Sequence, residues 1–161
     1  MTYNIRRGQM ADVPAAFALI QELALFEKAP AQVTNTPEQM VVDGFGPQPI
    51  FGFFVAETET GQVVGLALYY TRYSTWKGRC LHLEDLIVTA SHRRHQLGKR
   101  LLDAIVREAL AQDMALVIWQ VLDWNTPAVD FYKQLGADFE PEWINCKLTP
   151  PALARWEFTQ P

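Results

Sequence analysis

The chain has 161 residues, enough for one domain with one sizeable core, and 49% of them are hydrophobic, which excludes a disordered chain. The net charge of −4 argues against nucleic acid as a partner. Cys80 and Cys146 form no CxxC and have no histidine at ligand spacing, so no metal is expected and a reducing cytoplasm is; no apolar run is long enough to span a bilayer, so no membrane partner is expected.

Taken in chain order, Thr2–Arg7 reads as a short strand. Phe17, Ile20, Leu23 and Ala24 then repeat with helical spacing, and Asp12 and Pro14 sit where a helix start wants them. Thr34–Asp43 reads as a second, shorter helix closed by the turn residues from Asp43 to Pro47. Phe51–Glu57 and Gln62–Tyr73 are strand-like, with a turn at Glu59, Thr60 and Gly61, and Lys77–Thr89 is a third such run. Leu97–Gln112 is amphipathic, with Leu97, Leu101, Ile105 and Ala109 on one stripe. Ala115–Val121 is an almost unbroken apolar run, the pattern of a strand buried on both faces. Asn125 caps a short helix that carries Phe131 and Tyr132 and stops at Gly136. Asp138–Leu148 reads as a final hairpin or pair of strands, and Pro150–Pro161 as a tail. This order predicts an α/β protein with helices on both sides of a mixed sheet. No Pro/Gly/Ser-rich linker interrupts it, so a single domain is expected over residues 1–149, followed by a tail over 150–161.

Two clusters carry chemistry. Residues 93–100 place Arg93, Arg94, Lys99 and Arg100, with His95, at a helix start in an acidic chain. Cations there oppose the helix dipole by roughly 0.3–1 kcal/mol each. An anion bound at that end reverses the sign, and phosphate is the anion that first-turn N–H groups suit. A solvated basic patch is the plainer alternative. The strand before it, Leu81–Val88, holds Glu84 and Asp85 among apolar residues, on opposite faces if the alternation is regular. A partly buried carboxylate is costly unless paired or used, so one of the two is a candidate general base with a raised pKa. On composition alone a structural ion pair at a strand edge explains them better.

Together these residues resemble the GCN5-related N-acetyltransferase (GNAT) family. Its mark is a strand, then Arg/Gln-x-x-Gly-x-Gly/Ala, then a helix, matched here by Arg93–Gly98. The resemblance is nearer to the spermidine/spermine (diamine) and thialysine N-acetyltransferase branch. It runs from Ile5 to about Lys147 through Leu25-Phe26-Glu27, Asp43-Gly44-Phe45-Gly46, Leu83-Glu84-Asp85, Trp124-Asn125 and Phe131-Tyr132-Lys133. It implies a splayed, mostly antiparallel sheet flanked by helices, and acetyl transfer from acetyl-CoA by direct attack of a small-molecule primary amine.

The site residues implied are these. Arg93, Arg94, His95, Gln96, Leu97, Gly98 and Lys99 hold the phosphates of acetyl-CoA. Leu86, Ile87 and Val88 hold its pantetheine arm, and Asn125, Thr126, Pro127 and Ala128 flank it. Glu84 acts as base through water and Tyr132 protonates the leaving thiolate; without the motif, Tyr132 reads as a core-facing helix residue. Phe26, Glu27, Glu84, Trp76 and Trp143 are expected at the amine, and a homodimer is implied. Two departures stand out. Arg94 and Gln96 replace glycines of the relatives, so weaker cofactor binding is expected. Ser74 replaces an aspartate of the polyamine enzymes, so an amine smaller or less charged than spermine is expected. A non-catalytic acyl-CoA-binding or interaction domain that keeps the fold is the alternative.

Overall fold

The computed structural model describes residues 2–159. Five strands, β1 (Tyr3–Arg7), β2 (Gly52–Thr58), β3 (Val63–Ser74), β4 (Gly78–Val88) and β5 (Val117–Ile118), lie side by side in that order. The first three junctions are antiparallel and β4 pairs parallel with β5. The parallel pair needs a crossover, and α3 (Leu97–Ala111) supplies it. The mixed sheet flanked by helices agrees with the expected fold class.

Alternation along the strands sorts the two faces. Phe53, Val55, Leu66, Leu68 and Ile87 point to one side and form a core with Val13, Phe17 and Leu19 of α1 (Val13–Phe26) and Met40 of α2 (Pro37–Phe45). On the other side α3 buries Leu97, Leu101, Leu102, Ile105 and Ala109, the stripe its periodicity predicts. Gly65 lets α3 approach closely: a Cβ there would lie 3.1 Å from Leu101 Cδ1 and 3.2 Å from Ala56 Cβ. Pro37 at the first helical position and Thr36, whose Oγ1 accepts from the Gln39 amide at 3.1 Å, start α2.

By contacts the chain divides into two compact units, residues 1–120 and 121–161. The second contains α4 (Thr126–Gln134) and a short α5 (Pro150–Ala154). Asn125 caps α4, its Oδ1 accepting from the Ala128 amide at 3.4 Å. Met1, Gln160 and Pro161, at the ends of the expected domain and tail, lie outside the described residues.

Three expectations need correction. The apolar run 115–121 forms only the two-residue β5, half-buried rather than covered on both faces, and among the described residues β4 is its one strand neighbour. No strand is found in 138–148 among the described residues; every side chain there is exposed, and the alternating pattern lacks a partner strand. The opening of the tail is helical, at α5.

Candidate active site

β4 organises the site through one irregularity. Leu68 pairs with Asp85 and Tyr69 with Leu83, so Glu84 is an extra residue opposite none, a β-bulge. A bulge breaks the alternation. Asp85 pairs with Leu68 and His82 with Tyr70, positions two apart on β3 that share a face, and Glu84 joins them: its Oε2 lies 3.5 Å from His82 Nε2. The expectation that Glu84 and Asp85 face opposite sides is therefore wrong, and the cause is a register shift invisible to a period-2 count.

The two acids differ in setting. The Glu84 side chain is half exposed. Burial, then the charges of Glu84 and Glu27, push the Asp85 carboxyl up to about 6. Burial also raises Glu27, at the end of α1. The C-terminal end of α1 and the bulge of β4 thus bring Glu27, Glu84 and Asp85 into one electrostatic group. Asp85 is the residue missing from the expected site; the pair of acids in an apolar strand was its signal, and the assumed alternation hid it.

Beyond His82 the second edge of β4 carries no strand among the described residues. The Thr89 amide donates to Val64 O at 3.0 Å. Antiparallel alternation then gives the Ile87 backbone groups to β3 and turns those of Leu86 and Val88 to the open edge. Of the three residues expected at the pantetheine arm, Leu86 and Val88 have outward groups and Ile87 does not. Arg93 Nε donates to Val88 O at 3.1 Å, and its guanidinium lies 5.7 Å over the Phe26 ring. Arg93 thereby joins the loop to both β4 and α1. Glu22 of α1 secures the same loop, accepting from Thr89 Oγ1 at 2.7 Å and the Ala90 amide at 3.1 Å.

The loop keeps a glycine-like backbone without glycines. Arg94 has φ 67° and Gln96 φ 58°, both left-handed. Gln96 is the N-cap of α3 and makes no side-chain cap, so the first-turn amides of Leu97, Gly98 and Lys99 receive no side-chain partner from it. That arrangement fits a phosphate group. The cations are less available than their number suggests: Lys99 pairs with Asp103, Arg100 donates to Tyr3 O at 2.9 Å, and Arg93 is engaged as above. Arg94 is exposed and makes no hydrogen bond or ion pair among the described residues. His95 lies against Tyr3, ring centroids 5.3 Å apart.

Trp76 and Ser74 lie apart from this group. Trp76 is 84% exposed in the β3–β4 turn. Five rungs of the ladder, about 17 Å at strand spacing, separate the turn at Ser74 from the bulge. Ser74 shapes that turn, its Oγ accepting from the amides of Trp76 and Lys77 at 3.3 and 3.2 Å. In the second unit Trp143 is exposed, while Tyr132 is buried on α4 beside Phe131. Burial pushes the Tyr132 phenol up to about 12. Among the described residues no cluster of three or more His, Cys, Asp or Glu is placed to hold a metal, and no helix is long and apolar enough to cross a membrane.

Comparison with known proteins gives a consistent result. The profile of the acetyltransferase (GNAT) family matches residues 18–137. The thialysine N-epsilon-acetyltransferase of Mus musculus is 39% identical over 160 residues, covering 93% of this chain and 94% of that protein. The crystal structure of an aminoglycoside acetyltransferase from an uncultured soil metagenomic sample, in complex with sisomicin, superposes with a TM-score of 0.75 over 91% of this chain and 95% of that one, at 21% identity. A structure of AAC(6')-Iy in complex with the bisubstrate analogue CoA-S-monomethyl-acetylneamine superposes with a TM-score of 0.71 over 91% and 98%, at 18% identity. The last two are likenesses of fold.

Proposed function

Because the chain belongs to the acetyltransferase (GNAT) family, we propose that Glu84 and Tyr132 carry the two proton transfers of its reaction and that its acceptor is a small amine of the thialysine, ornithine or short-diamine kind. The chain is an N-acetyltransferase that uses acetyl-CoA and an amine. Acetyl-CoA supplies the acetyl thioester when bound. The first-turn amides of Leu97–Lys99 and the left-handed turns at Arg94 and Gln96 suit its phosphates, with Arg94 as the available cation. The outward groups of Leu86 and the outward amide of Val88, whose carbonyl already accepts from Arg93, suit an extended amide-bearing arm, as strand edges do.

An alkyl ammonium must lose a proton before its nitrogen can attack. Glu84 takes that proton, directly or through one water, on a carboxylate that solvent reaches. Glu27 and Asp85 add negative potential beside it and draw a cationic amine. Tyr132 Oη then gives its proton to the departing sulfur. A phenol raised to about 12 stays protonated through the neutral range, so the donor is always loaded.

The observation that carries this reading is the grouping of Glu27, Glu84 and Asp85 at the bulge, beside the open edge of β4. Ser74 in place of an acid at the hairpin turn favours acceptors shorter than spermine. Release of free thiol from acetyl-CoA, measured across thialysine, ornithine, putrescine, spermidine and spermine, tests it. Turnover is expected with the amino acids or putrescine and weakest with spermine; a preference for spermine would overturn the substrate reading. A homodimer and a cytoplasmic setting complete the proposal. Sedimentation velocity tests the first, and both cysteines being unpaired suits the second.

A further inference from the structure

Beside Glu84 the sheet buries a histidine that the chemistry above leaves idle. His82 is 8% exposed. Its ring stacks on Tyr70, the residue opposite it on β3, with centroids 4.9 Å apart and 22° between planes. Nε2 lies 3.5 Å from Glu84 Oε2, and Nδ1 is buried with no hydrogen-bond partner among the described residues.

These facts select one tautomer. A hydrogen on Nδ1 would be a buried donor without an acceptor, which costs about 1–3 kcal/mol. A second proton on the ring would create the same orphan and add a buried charge. The charged and titratable groups facing the ring are Glu84 on its own strand and Tyr70 and Arg72 on β3; β5, opposite on the other side, brings Val117 and Ile118, which do not titrate. Burial lowers the imidazole from its ordinary value; Glu84 opposes that and Arg72 adds to it. The ring is therefore neutral at pH 7 with its one hydrogen on Nε2. The contact with Glu84 is then not an ion pair. At 3.5 Å it is long for a hydrogen bond, and it lies on the half-exposed side chain of Glu84.

We infer that His82 is a positioning residue of Glu84: its neutral Nε2–H holds one carboxylate oxygen and so fixes how the carboxylate meets the proton of the amine. This rests on Glu84 being the base. A neutral donor orients the carboxylate without cancelling its charge, which a cation would do. The stack on Tyr70, whose phenol is itself a hydrogen-bond partner of Glu84, keeps the ring from turning away.

Two measurements test it. Nitrogen NMR of the imidazole at pH 7 in the wild-type protein should show the Nε2–H tautomer, and Glu84→Gln should lower the titration point of His82. An Nδ1–H tautomer, or a doubly protonated ring at pH 7, would overturn the inference. The second is the pH profile of kcat/KM. His82→Phe keeps a ring on Tyr70 and removes the donor, so the acid limb should move to higher pH and turnover fall about three- to tenfold, the worth of one hydrogen bond. His82→Gln, which restores an N–H near the Nε2 position, should move the limb back. A wild-type limb in His82→Phe would also overturn it. Wild-type turnover in Glu84→Gln would remove Glu84 as base and with it this role for His82, while the NMR result would still decide whether the two side chains pair.

Discussion

The bulge on β4 and the loop before α3 are neighbours in sequence and are built on opposite principles. At the bulge the backbone is the device: one unpaired residue turns Glu84 to the face that Asp85 and His82 already share. Burial, and after it the charges of Glu84 and Glu27, raises the Asp85 carboxyl there. In the loop the backbone is the product. Arg94 and Gln96 hold left-handed conformations that glycine adopts freely, and side chains from elsewhere, Arg93 and Glu22, keep the loop in place. A functional shape can thus be reached by residues that favour it locally, or imposed on residues that do not.

If the bulge exists to aim a base, Glu84→Gln should lower kcat by about a hundredfold or more while leaving acetyl-CoA affinity unchanged. Calorimetry beside steady-state kinetics separates the two, and an equal loss in both would erase the distinction between strand and loop. Tyr132→Phe should lower turnover by about tenfold to a hundredfold, again without loss of acetyl-CoA binding. With its phenol at about 12, the wild-type rate should show no alkaline loss from Tyr132 below about pH 11.

Much of the frame was legible beforehand. The stripe Leu97, Leu101, Ile105 and Ala109 is buried as its spacing demands, since a helix face depends on its own sequence alone. The bulge was not, because register belongs to two strands at once and no glycine marks position 84. For the same reason 115–121 and 138–148 read as strands from composition, whereas pairing depends on what lies beside them. The loop was half legible: its departures from glycine were visible, and the retained φ values were not.

The third way to sharpen the comparison is thermal. The Asp85 carboxyl stands at about 6 in the fold against an ordinary 3.8. The folded state therefore holds that proton more tightly. The contribution is full below the ordinary value and is lost as pH rises through about 6, by about 1–3 kcal/mol after allowance for partial exposure. Asp85→Asn should flatten the melting temperature between about pH 4 and 7, the window between the ordinary and the raised value, and raise it at pH 8; an unchanged slope would show that the bulge does not strain its acids. The smallest effect belongs to the loop. Gln96→Gly should relieve a left-handed residue and stabilise the protein by about 0.5–1 kcal/mol. If acetyl-CoA affinity rises as well, the side chain was crowding the phosphates; if it does not, only the backbone was under tension.

The unpaired residue in β4 also permits an unusual deletion. Excising Glu84 would leave Leu83 and Asp85 adjacent, opposite Tyr69 and Leu68, which are already adjacent on β3. The ladder would close without a break, and both halves of the strand would keep their present partners and faces. Most one-residue losses inside a strand invert everything downstream. Here the chain can shorten by a residue and keep its sheet, so catalysis and architecture occupy separable letters of the same strand.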